Sequence, residues 1–419
     1  MSEKVVVVGQ GYVGLVLAIR ASEVGFDVVG YEVDDAKVKR LAVGEPTTED
    51  VSAERLAAAL EGGRYRVSAD PRDCAGFDYA VISVPTPLRE GVPDLTHIET
   101  AASTLGPHLR RGACVVLEST TWPGTTDELV GPALEEASGL AAGDGFALGY
   151  SSERIDPASK EWTFEHIPKL VSGVDERSLT VIQGFYDRLV DTTVAVSGTR
   201  EAELAKLLEN TFRHVNIALV NELAIFAHGL GIDIWESIEA ADTKPFGFMR
   251  FEPGPGVGGH CLPVDPSYLS WRVRRSLGHA FRFVELANDI NDHMPEYVAQ
   301  RLVEGLNARS LPIRGRRVLL LGLAFKRNTA DAREAPSLPL AHRLLTMGAD
   351  VRAADPHVVH DHVPAGVARV ECTPEEVAAA DAIVLLVDHD AFDLDMVGRT
   401  AAYALDCRHR LDGPNVEHL

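Results

Sequence analysis

The N-terminal part of the chain alternates short apolar runs with helical patterns. Residues 5–8 are four valines, which predicts a strand buried on both faces, and apolar positions at helical spacing follow up to Gly25. A second strand is predicted over 26–31. Further strand candidates lie at 79–84, 114–117 and 146–150. Strands that alternate with helices in this way predict a doubly wound parallel sheet extending to about residue 197.

The C-terminal part repeats this layout. An apolar run at 317–322 ends in glycine, a helical stretch follows at 336–347, and a strand at 349–355 ends in an acid. Another strand is predicted at 382–387. The predicted fold class is therefore α/β, with two Rossmann-like doubly wound parallel sheets, of which only the first has a complete glycine-rich turn.

In the middle of the chain the apolar residues recur with the period of a long helix. Large apolar residues recur at helical spacing over some thirty residues before Gly229: Leu204, Leu207, Leu208, Phe212, Val215, Leu219, Leu223 and Phe226. Such a long helix must be covered on more than one side, so we expect it to form a homodimer interface. Three domains are predicted: a Rossmann domain at 1–198, a helical connecting domain at 199–300, and a Rossmann-like domain at 301–419.

Charge and cysteine content narrow the classes of function. The net charge of −22 repels nucleic acid and anionic membrane surfaces, and no apolar run is long enough to span a membrane. The N-terminus lacks the features of a secretion signal. Five scattered cysteines form no metal-binding pair and no disulfide framework, so we expect a cytoplasmic protein without a bound metal.

A glycine-rich turn follows the first predicted strand. In Gly9-x-Gly11-x-x-Gly14, the first glycine permits a tight turn, the second admits a pyrophosphate, and the third allows the helix to pack closely. Glu32 lies 21 residues after Gly11, where an acid binds ribose hydroxyls and repels a 2′-phosphate. This arrangement predicts NAD rather than NADP; the alternative is a glycine turn without a ligand.

Two further features carry candidate chemistry. A loop rich in glycine and proline, 253–265, surrounds Cys261, which could act as a nucleophile or could be a small buried apolar residue. Lys206 and Asn210 are four residues apart, hence on one helix face. Together they could stabilise an oxyanion, although a solvated helix face has the same spacing.

Several motifs, in order, carry a resemblance to a known family. They are residues 9–15, 84–87, 118–120, 152–154, Lys206 with Asn210, 256–261 and 322–326. This set closely resembles the nucleotide-diphosphate-sugar 6-dehydrogenases over nearly the whole chain. The resemblance implies four-electron oxidation of a sugar C6 alcohol to a carboxylate, with two NAD⁺ consumed and the aldehyde held as a covalent adduct.

The resemblance also implies roles for individual residues. Cys261 would form a thiohemiacetal and then a thioester. Lys206 and Asp265 would handle the alcohol proton and stabilise oxyanions, with Asn210 as a hydrogen-bond donor. Thr120 and Glu153 would position or activate the hydrolytic water.

The binding residues implied in the same way fall into two sets. Cofactor contacts would come from Gly9, Gly11, Tyr12, Val13, Gly14, Glu32, Pro85, Thr86 and Thr120. Contacts to the nucleotide-diphosphate sugar would come from Glu153, Arg154, Lys206, Asn210, Arg250, Gly258, Gly259, Phe325, Lys326 and Arg333. Lys326 and Arg333 would supply the local positive charge that the diphosphate requires, and Arg250 could reach a ligand across the dimer.

The substrate stays open at this point. At His260 and Val264 the chain resembles the N-acetylhexosamine branch of the family, which implies a UDP-N-acetylhexosamine as substrate. Glu252 is unexpected beside a site for an anionic ligand. UDP-glucose and a dTDP-sugar such as dTDP-glucose are the alternatives. A two-electron dehydrogenase of the hydroxyacid type and a non-catalytic nucleotide sensor are the competing functions.

Overall fold

The computed structural model describes residues 2–419 except 49, 90, 156–161, 260 and 360–362, and it describes only the backbone of Cys261. The chain divides into two compact units. Unit 1 comprises residues 1–209 with 275–277, and unit 2 comprises 210–274 with 278–419. The boundary falls within one long helix, so the division into three domains stays a prediction.

Unit 1 is built on an eight-stranded sheet. Its strands and a small hairpin are β1 Lys4–Val8, β2 Asp27–Tyr31, β3 Tyr65–Ser68, β4 Tyr79–Ile82, β5 Leu88–Arg89, β6 Val92–Pro93, β7 Cys114–Leu117, β8 Ala147–Tyr150, β9 Lys169–Gly173 and β10 Thr193–Ala195. Its helices are α1 Gly14–Glu23, α2 Asp35–Ala42, α3 Ala53–Glu61, α4 Thr96–Leu105, α5 Gly131–Ser138 and α6 Glu176–Tyr186. The strand order is β10-β9-β8-β7-β4-β1-β2-β3.

The strand pairing of this sheet is parallel apart from one pair. β8 and β9 run antiparallel, with Tyr150 opposite Ser172. The predicted α/β class is confirmed, and this reversal is an addition that the apolar pattern did not predict. The valines of β1 are at most 4% exposed, and Leu15 and Ile19 of α1 pack in the same core.

Four helices follow, and six strands complete unit 2. The helices are α7 Thr199–Leu230, α8 Ile234–Asp242, α9 Cys261–Leu277 and α10 Arg282–Ala308. The strands are β11 Arg317–Leu321, β12 Asp350–Ala354, β13 Ala368–Arg369, β14 Ala382–Leu385, β15 Ala404–Asp406 and β16 Val416–His418, with helices α11 Ser337–Met347, α12 Pro374–Ala379 and α13 Leu394–Thr400. This sheet is parallel, in the order β13-β12-β11-β14-β15-β16.

The long helix α7 has the predicted extent but an uncovered face. Leu207 is buried and Val215 is half-buried. We call the exposed apolar residues the α7 stripe; they are Leu204, Leu208, Phe212, Leu219, Leu223, Phe226 and Leu230, between 44% and 74% exposed. None of the helices in the described part of the chain is both long and apolar enough to cross a membrane.

Candidate active site

The glycine-rich turn lies at the carboxyl end of β1, and its three glycines differ in their surroundings. Gly9 has φ +90°, and a Cβ there would lie 2.7 Å from the Ser83 carbonyl oxygen. A Cβ on Gly14 would lie 1.9 Å from the Gly9 oxygen. At Gly11 a Cβ would meet no atom within 4 Å. Gly9 and Gly14 are therefore required by the fold, whereas the space at Gly11 fits a pyrophosphate approaching the backbone.

Glu32 follows β2 and faces this turn. Its carboxylate accepts hydrogen bonds from the backbone N–H groups of Gln10 and Asp34, each at 3.1 Å. The Lys37 ammonium lies 3.8 Å from Glu32 Oε2. The carboxylate is thus held at the edge where a ribose would lie, and an acid at this position fits NAD.

The other candidate cofactor residues lie at the same edge of the sheet. Tyr12 and Val13 precede α1, Pro85 and Thr86 follow β4, and Thr120 follows β7. Because β7, β4 and β1 are neighbours and parallel, their carboxyl ends lie side by side. The proposed dinucleotide contacts thereby come from adjacent loops.

Glu203 joins the loop after Thr120 to helix α7. Its carboxylate accepts from Gly124 N at 2.5 Å, from Thr126 N at 2.9 Å and from Thr126 Oγ1 at 2.7 Å. Burial raises the pKa of Glu203 to about 7, against the opposing effect of these hydrogen bonds. Sequence reasoning missed this residue because its partners lie more than seventy positions away.

Lys206 lies one helical turn after Glu203. The residue is 6% exposed, and no carboxylate among the described residues pairs with its ammonium group. A buried ammonium without a carboxylate partner in unit 1 suits the predicted stabilisation of an oxyanion.

A buried charge network connects β7, β9 and the loop after β8. Lys169 Nζ lies 2.9 Å from Glu118 Oε1 and 3.4 Å from Glu153 Oε2, and Tyr186 donates its hydroxyl to Glu118 Oε1 at 2.6 Å. We call these four residues the Lys169 network. Of these four residues only Glu153 was predicted to have a role, because the partners of Lys169 come from segments distant in the sequence.

Arg154, a predicted substrate residue, is engaged within unit 1. Its guanidinium forms an ion pair with Glu209 of α7 and donates to the Pro168 carbonyl at 2.7 Å. In this arrangement Arg154 fixes the loop after β8 to α7. Its contact with substrate stays a prediction.

In unit 2, Asn210 and Asp265 are brought together. Asn210 Nδ2 donates to Asp265 Oδ2 at 2.5 Å, and Asp265 is 1% exposed. Asp265 belongs to the first turns of α9, which begins at Cys261. The side chain of Cys261 lies outside the described residues, but its backbone position at a helix N-terminus is one that stabilises a thiolate.

A row of buried polar side chains anchors the loop that precedes Cys261. Asn221 of α7 accepts from Gly254 N at 2.9 Å and donates to Asn291 Oδ1 at 2.9 Å. Asn291 in turn contacts His214, whose Nε2 lies 2.7 Å from Asn288 Oδ1. The glycine-rich loop is therefore tied to α7 and α10.

Gly258 and Gly259 pack against another predicted substrate residue. A Cβ on Gly258 would lie 2.7 Å from Phe325 Cβ, and one on Gly259 would lie 2.9 Å from the Phe325 ring. Gly259 N also donates to the Arg333 carbonyl at 3.0 Å. The close approach of two chain segments thus explains both glycines.

The loop after β11 holds the two candidate phosphate ligands. Arg333 makes a forked pair with Asp331 at 2.5–3.1 Å. Lys326 is half-buried, and its carbonyl accepts from Thr329. Asn328 has φ +56°, a conformation that is uncommon outside glycine and concentrates at ligand-binding loops.

Arg250 is exposed and paired within its own segment. Its guanidinium lies 3.0 Å from Glu252 Oε1 and 3.8 Å from Asp242 Oδ2. Glu252, unexpected from the sequence, therefore neutralises the arginine that we predicted to reach a ligand.

Asp355, the acid that follows β12, forms its hydrogen bonds within the protein. Asp355 accepts from Leu323 N at 2.6 Å and Ala324 N at 3.1 Å, and His389 Nε2 lies 3.1 Å from the same oxygen. Burial alone raises the pKa of Asp355, but the hydrogen bonds from His389 and the backbone outweigh it and lower that pKa. Asp355 is therefore not available to a ribose in this arrangement.

Three family models match this chain in order. Residues 3–190 match the NAD binding domain of the UDP-glucose/GDP-mannose dehydrogenase family, residues 200–293 its central domain, and residues 319–413 its UDP binding domain.

Known proteins are similar over the whole length. UDP-N-acetyl-D-mannosamine dehydrogenase of Pyrococcus horikoshii is 33% identical over 99% of this chain and 96% of its own. UDP-N-acetyl-D-glucosamine 6-dehydrogenase of Pseudomonas aeruginosa is 36% identical over 98% and 97%. The solved structure of a UDP-glucose dehydrogenase from Pyrobaculum islandicum has a TM-score of 0.88, with 29% identity over 100% of this chain and 97% of that one.

The buried Glu203 predicts a pH-dependent stability. Its pKa of about 7 in the folded chain exceeds the ordinary value of 4.5, so the native state binds a proton more tightly than the unfolded state. The contribution is complete below about pH 4.5 and is lost as pH rises through 7, by at most ~3 kcal/mol. Glu203→Gln should abolish this decline, measured as urea unfolding midpoints between pH 5 and 8.

The matched control is Glu201→Gln, an exposed acid on the same helix, which should keep the wild-type pH profile. Parallel profiles for Glu203→Gln and wild type would contradict the assignment.

Proposed function

Since the chain belongs to the UDP-glucose/GDP-mannose dehydrogenase family, we propose that it oxidises the C6 alcohol of a UDP-N-acetylhexosamine to the uronic acid, using two NAD⁺. The observation that carries this proposal is full-length similarity, at 33–36% identity, to dehydrogenases of UDP-N-acetylhexosamines. His260 and Val264 support the same branch. UDP-glucose and dTDP-glucose are the other outcomes of the substrate test.

The glycine-rich turn after β1 and the Glu32 carboxylate support NAD as the oxidant. When bound, NAD⁺ supplies the hydride acceptor for the C6 carbon. The open backbone at Gly11 would lie against its pyrophosphate, and Glu32 would accept hydrogen bonds from its ribose hydroxyls. The Glu32 carboxylate also repels a 2′-phosphate.

Lys206, Asn210 and Asp265 would act on the reacting oxygen. Asp265 would accept the proton of the alcohol, and the Lys206 ammonium would stabilise negative charge on that oxygen. The hydrogen bond from Asn210 keeps the buried Asp265 carboxylate in one orientation. The Asp265 carboxylate would thus be preorganised before substrate binds.

Cys261 would retain the intermediate aldehyde. Its thiolate would add to the carbonyl carbon to give a thiohemiacetal, and loss of a second hydride would give a thioester. Thr120 and Glu153 would position and activate the water that releases the acid. The start of α9 at Cys261 supports a nucleophilic role, since the positive end of a helix dipole favours a thiolate.

The diphosphate of the sugar nucleotide would bind in unit 2. Lys326 and Arg333 follow β11, as phosphate ligands do in α/β folds, and the Phe325 ring lies against Gly259. Arg333 would exchange its pairing with Asp331 for a phosphate. Because Asp355 already accepts hydrogen bonds from its own turn and contacts His389, a ligand other than a second dinucleotide is favoured.

We also propose a homodimer that buries the α7 stripe. Seven large apolar side chains on one helix face form a continuous exposed surface, and surfaces of this kind mark protein interfaces. A second copy of the same helix is complementary to it. In such a dimer Arg250 could reach the partner's ligand.

The thiols support a reducing compartment, which we take to be the cytoplasm. Cys74, Cys114, Cys372 and Cys407, the cysteines whose side chains are described, are all free. Burial raises the pKa of Cys114 and Cys407, so these thiols are inert packing residues.

A nicotinamide absorbance assay tests the reaction. With NAD⁺ and UDP-N-acetylmannosamine or UDP-N-acetylglucosamine, we expect two NADH per sugar, and Cys261→Ser should form no acid because serine is a poor nucleophile here. UDP-glucose and dTDP-glucose are assayed in parallel. Cys372→Ser, which removes a free thiol outside the proposed site, is the control and should retain turnover.

One NADH per substrate would favour the hydroxyacid-type reaction, and no turnover across the panel would favour a nucleotide sensor. Unchanged uronate formation by Cys261→Ser would contradict the covalent mechanism.

Cofactor preference tests Glu32. In Glu32→Ser the repulsion of a 2′-phosphate is lost and Lys37 becomes free to pair with it, so the NAD/NADP ratio of kcat/KM should fall about 10- to 100-fold. Adding Lys37→Ala should reverse the gain with NADP. Asp35→Ser, which changes an exposed acid of the same segment, is the control and should keep the wild-type ratio. An unchanged ratio in Glu32→Ser would refute the assignment.

The oligomeric state tests the α7 stripe. The double variant Leu208→Glu with Leu223→Glu places two charges in the stripe, and we expect a monomer by analytical ultracentrifugation where the wild type is a dimer. Arg213→Glu, exposed on another face of α7, should remain dimeric. A monomeric wild type, or a dimeric double variant, would overturn this interface.

A further inference from the structure

Lys169 is a buried cation that the proposed mechanism does not use. It is the first residue of β9 and is 3% exposed, with its ammonium between the carboxylates of Glu118 and Glu153. The rings of Phe164 and Tyr186 lie 5.3 and 5.6 Å from that ammonium. The ammonium is therefore buried between two carboxylates and two aromatic rings.

This arrangement is costly unless each charge is compensated. Burial by itself lowers the pKa of Lys169, but the charges of Glu118 and Glu153 outweigh it and raise that pKa. Burial also raises the pKa of Glu118, whose Oε2 has no hydrogen-bond partner among the described atoms. Apolar residues of similar volume often stabilise a core equally well, so stability alone gives little reason for this network.

The three charged side chains differ in how far they reach the surface. Glu118 is 0% exposed, Lys169 is 3% exposed and Glu153 is 12% exposed. The Glu153 carboxylate is therefore the group of this network nearest the surface, and Lys169 contacts it from the buried side. On the inner side Lys169 pairs with Glu118, whose Oε1 also accepts a hydrogen bond from the Tyr186 hydroxyl.

Glu153 is fixed through both of its oxygens. Oε2 faces Lys169 at 3.4 Å, and Oε1 accepts hydrogen bonds from the backbone N–H groups of Arg154 and Ile155. Arg154 is itself fastened to Glu209 and Pro168. Among the described residues, Lys169 supplies the side-chain contact to Glu153 Oε2.

We propose that Lys169 is a positioning residue that orients the Glu153 carboxylate for the release of the acid product. The inference rests on the proposed function, in which Glu153 activates the hydrolytic water. In that step the water oxygen bonds to the acyl carbon, and the carbon–sulfur bond breaks with its electron pair passing to the Cys261 sulfur. One water proton passes to Glu153, and the carboxylic acid formed then loses its proton to solvent.

A defect confined to this step has a specific kinetic signature. Lys169→Met leaves both hydride transfers intact, so stopped-flow absorbance should show a rapid burst of about two NADH per active site. The following steady-state rate should fall about 10- to 100-fold, as expected for a displaced catalytic group, with KM little changed. Intact mass spectrometry of the quenched enzyme should detect the acyl adduct on the protein.

Two further variants separate positioning from folding. Lys169→Arg keeps a cation between the carboxylates and should restore most of the steady-state rate. Lys4→Met removes a half-buried lysine that opens β1 in the same sheet and donates to the Asp73 carbonyl, so it should lower stability without producing a burst. Lys169→Met combined with Glu118→Gln removes one buried acid with the cation, which preserves the fold if the single variant unfolds; it should show the same burst.

The outcomes distinguish this inference from the proposed function. Wild-type protein without turnover on any sugar nucleotide refutes the function itself. Wild-type turnover with two NADH per sugar, combined with folded Lys169 variants that slow both hydride transfers equally or show no defect, overturns the role of Lys169 alone. Binding of NAD by calorimetry reports whether each variant is folded.

Discussion

Polar side chains of α7 bind the neighbouring loops, and these contacts position the candidate site. In unit 1, Glu203 accepts from the loop after β7 and Glu209 pairs with Arg154. In unit 2, Asn210 binds Asp265 and Asn221 binds the backbone of the glycine-rich loop. An unsatisfied buried group costs about 1–3 kcal/mol, so each contact holds a functional loop in a defined place.

The two α/β sheets show how one framework can be given different uses. Each has a glycine after its first strand and an acid after its second, Glu32 in unit 1 and Asp355 in unit 2. Glu32 accepts from two backbone groups and faces an open turn. Asp355 is saturated by the turn itself and by His389, which closes the position that a ribose would take. The corresponding acids of the two sheets therefore differ in their surroundings: Glu32 faces the open turn at Gly11, whereas Asp355 is enclosed by its own turn and by His389.

The sequence predicted those features that depend on local spacing. The buried strands, the glycine turn and the extent of α7 follow from periods of two or 3.6 residues and from fixed offsets between motifs. Lys169 and Glu203 could not be found in this way, because their partners lie in distant strands and loops and each looks like an ordinary charged residue. β9 was not among the predicted strands, and a short buried strand carries no signal of its direction.

The three glycines of the first turn place different demands on natural variation. Side chains at Gly9 or Gly14 collide with backbone, so such alleles would lower the amount of folded protein in the cell. A side chain at Gly11 meets no atom within 4 Å and would leave abundance unchanged, while on the proposed role of this turn it would obstruct the dinucleotide. Expression level alone would therefore reveal damage at two of these positions and overlook it at the third.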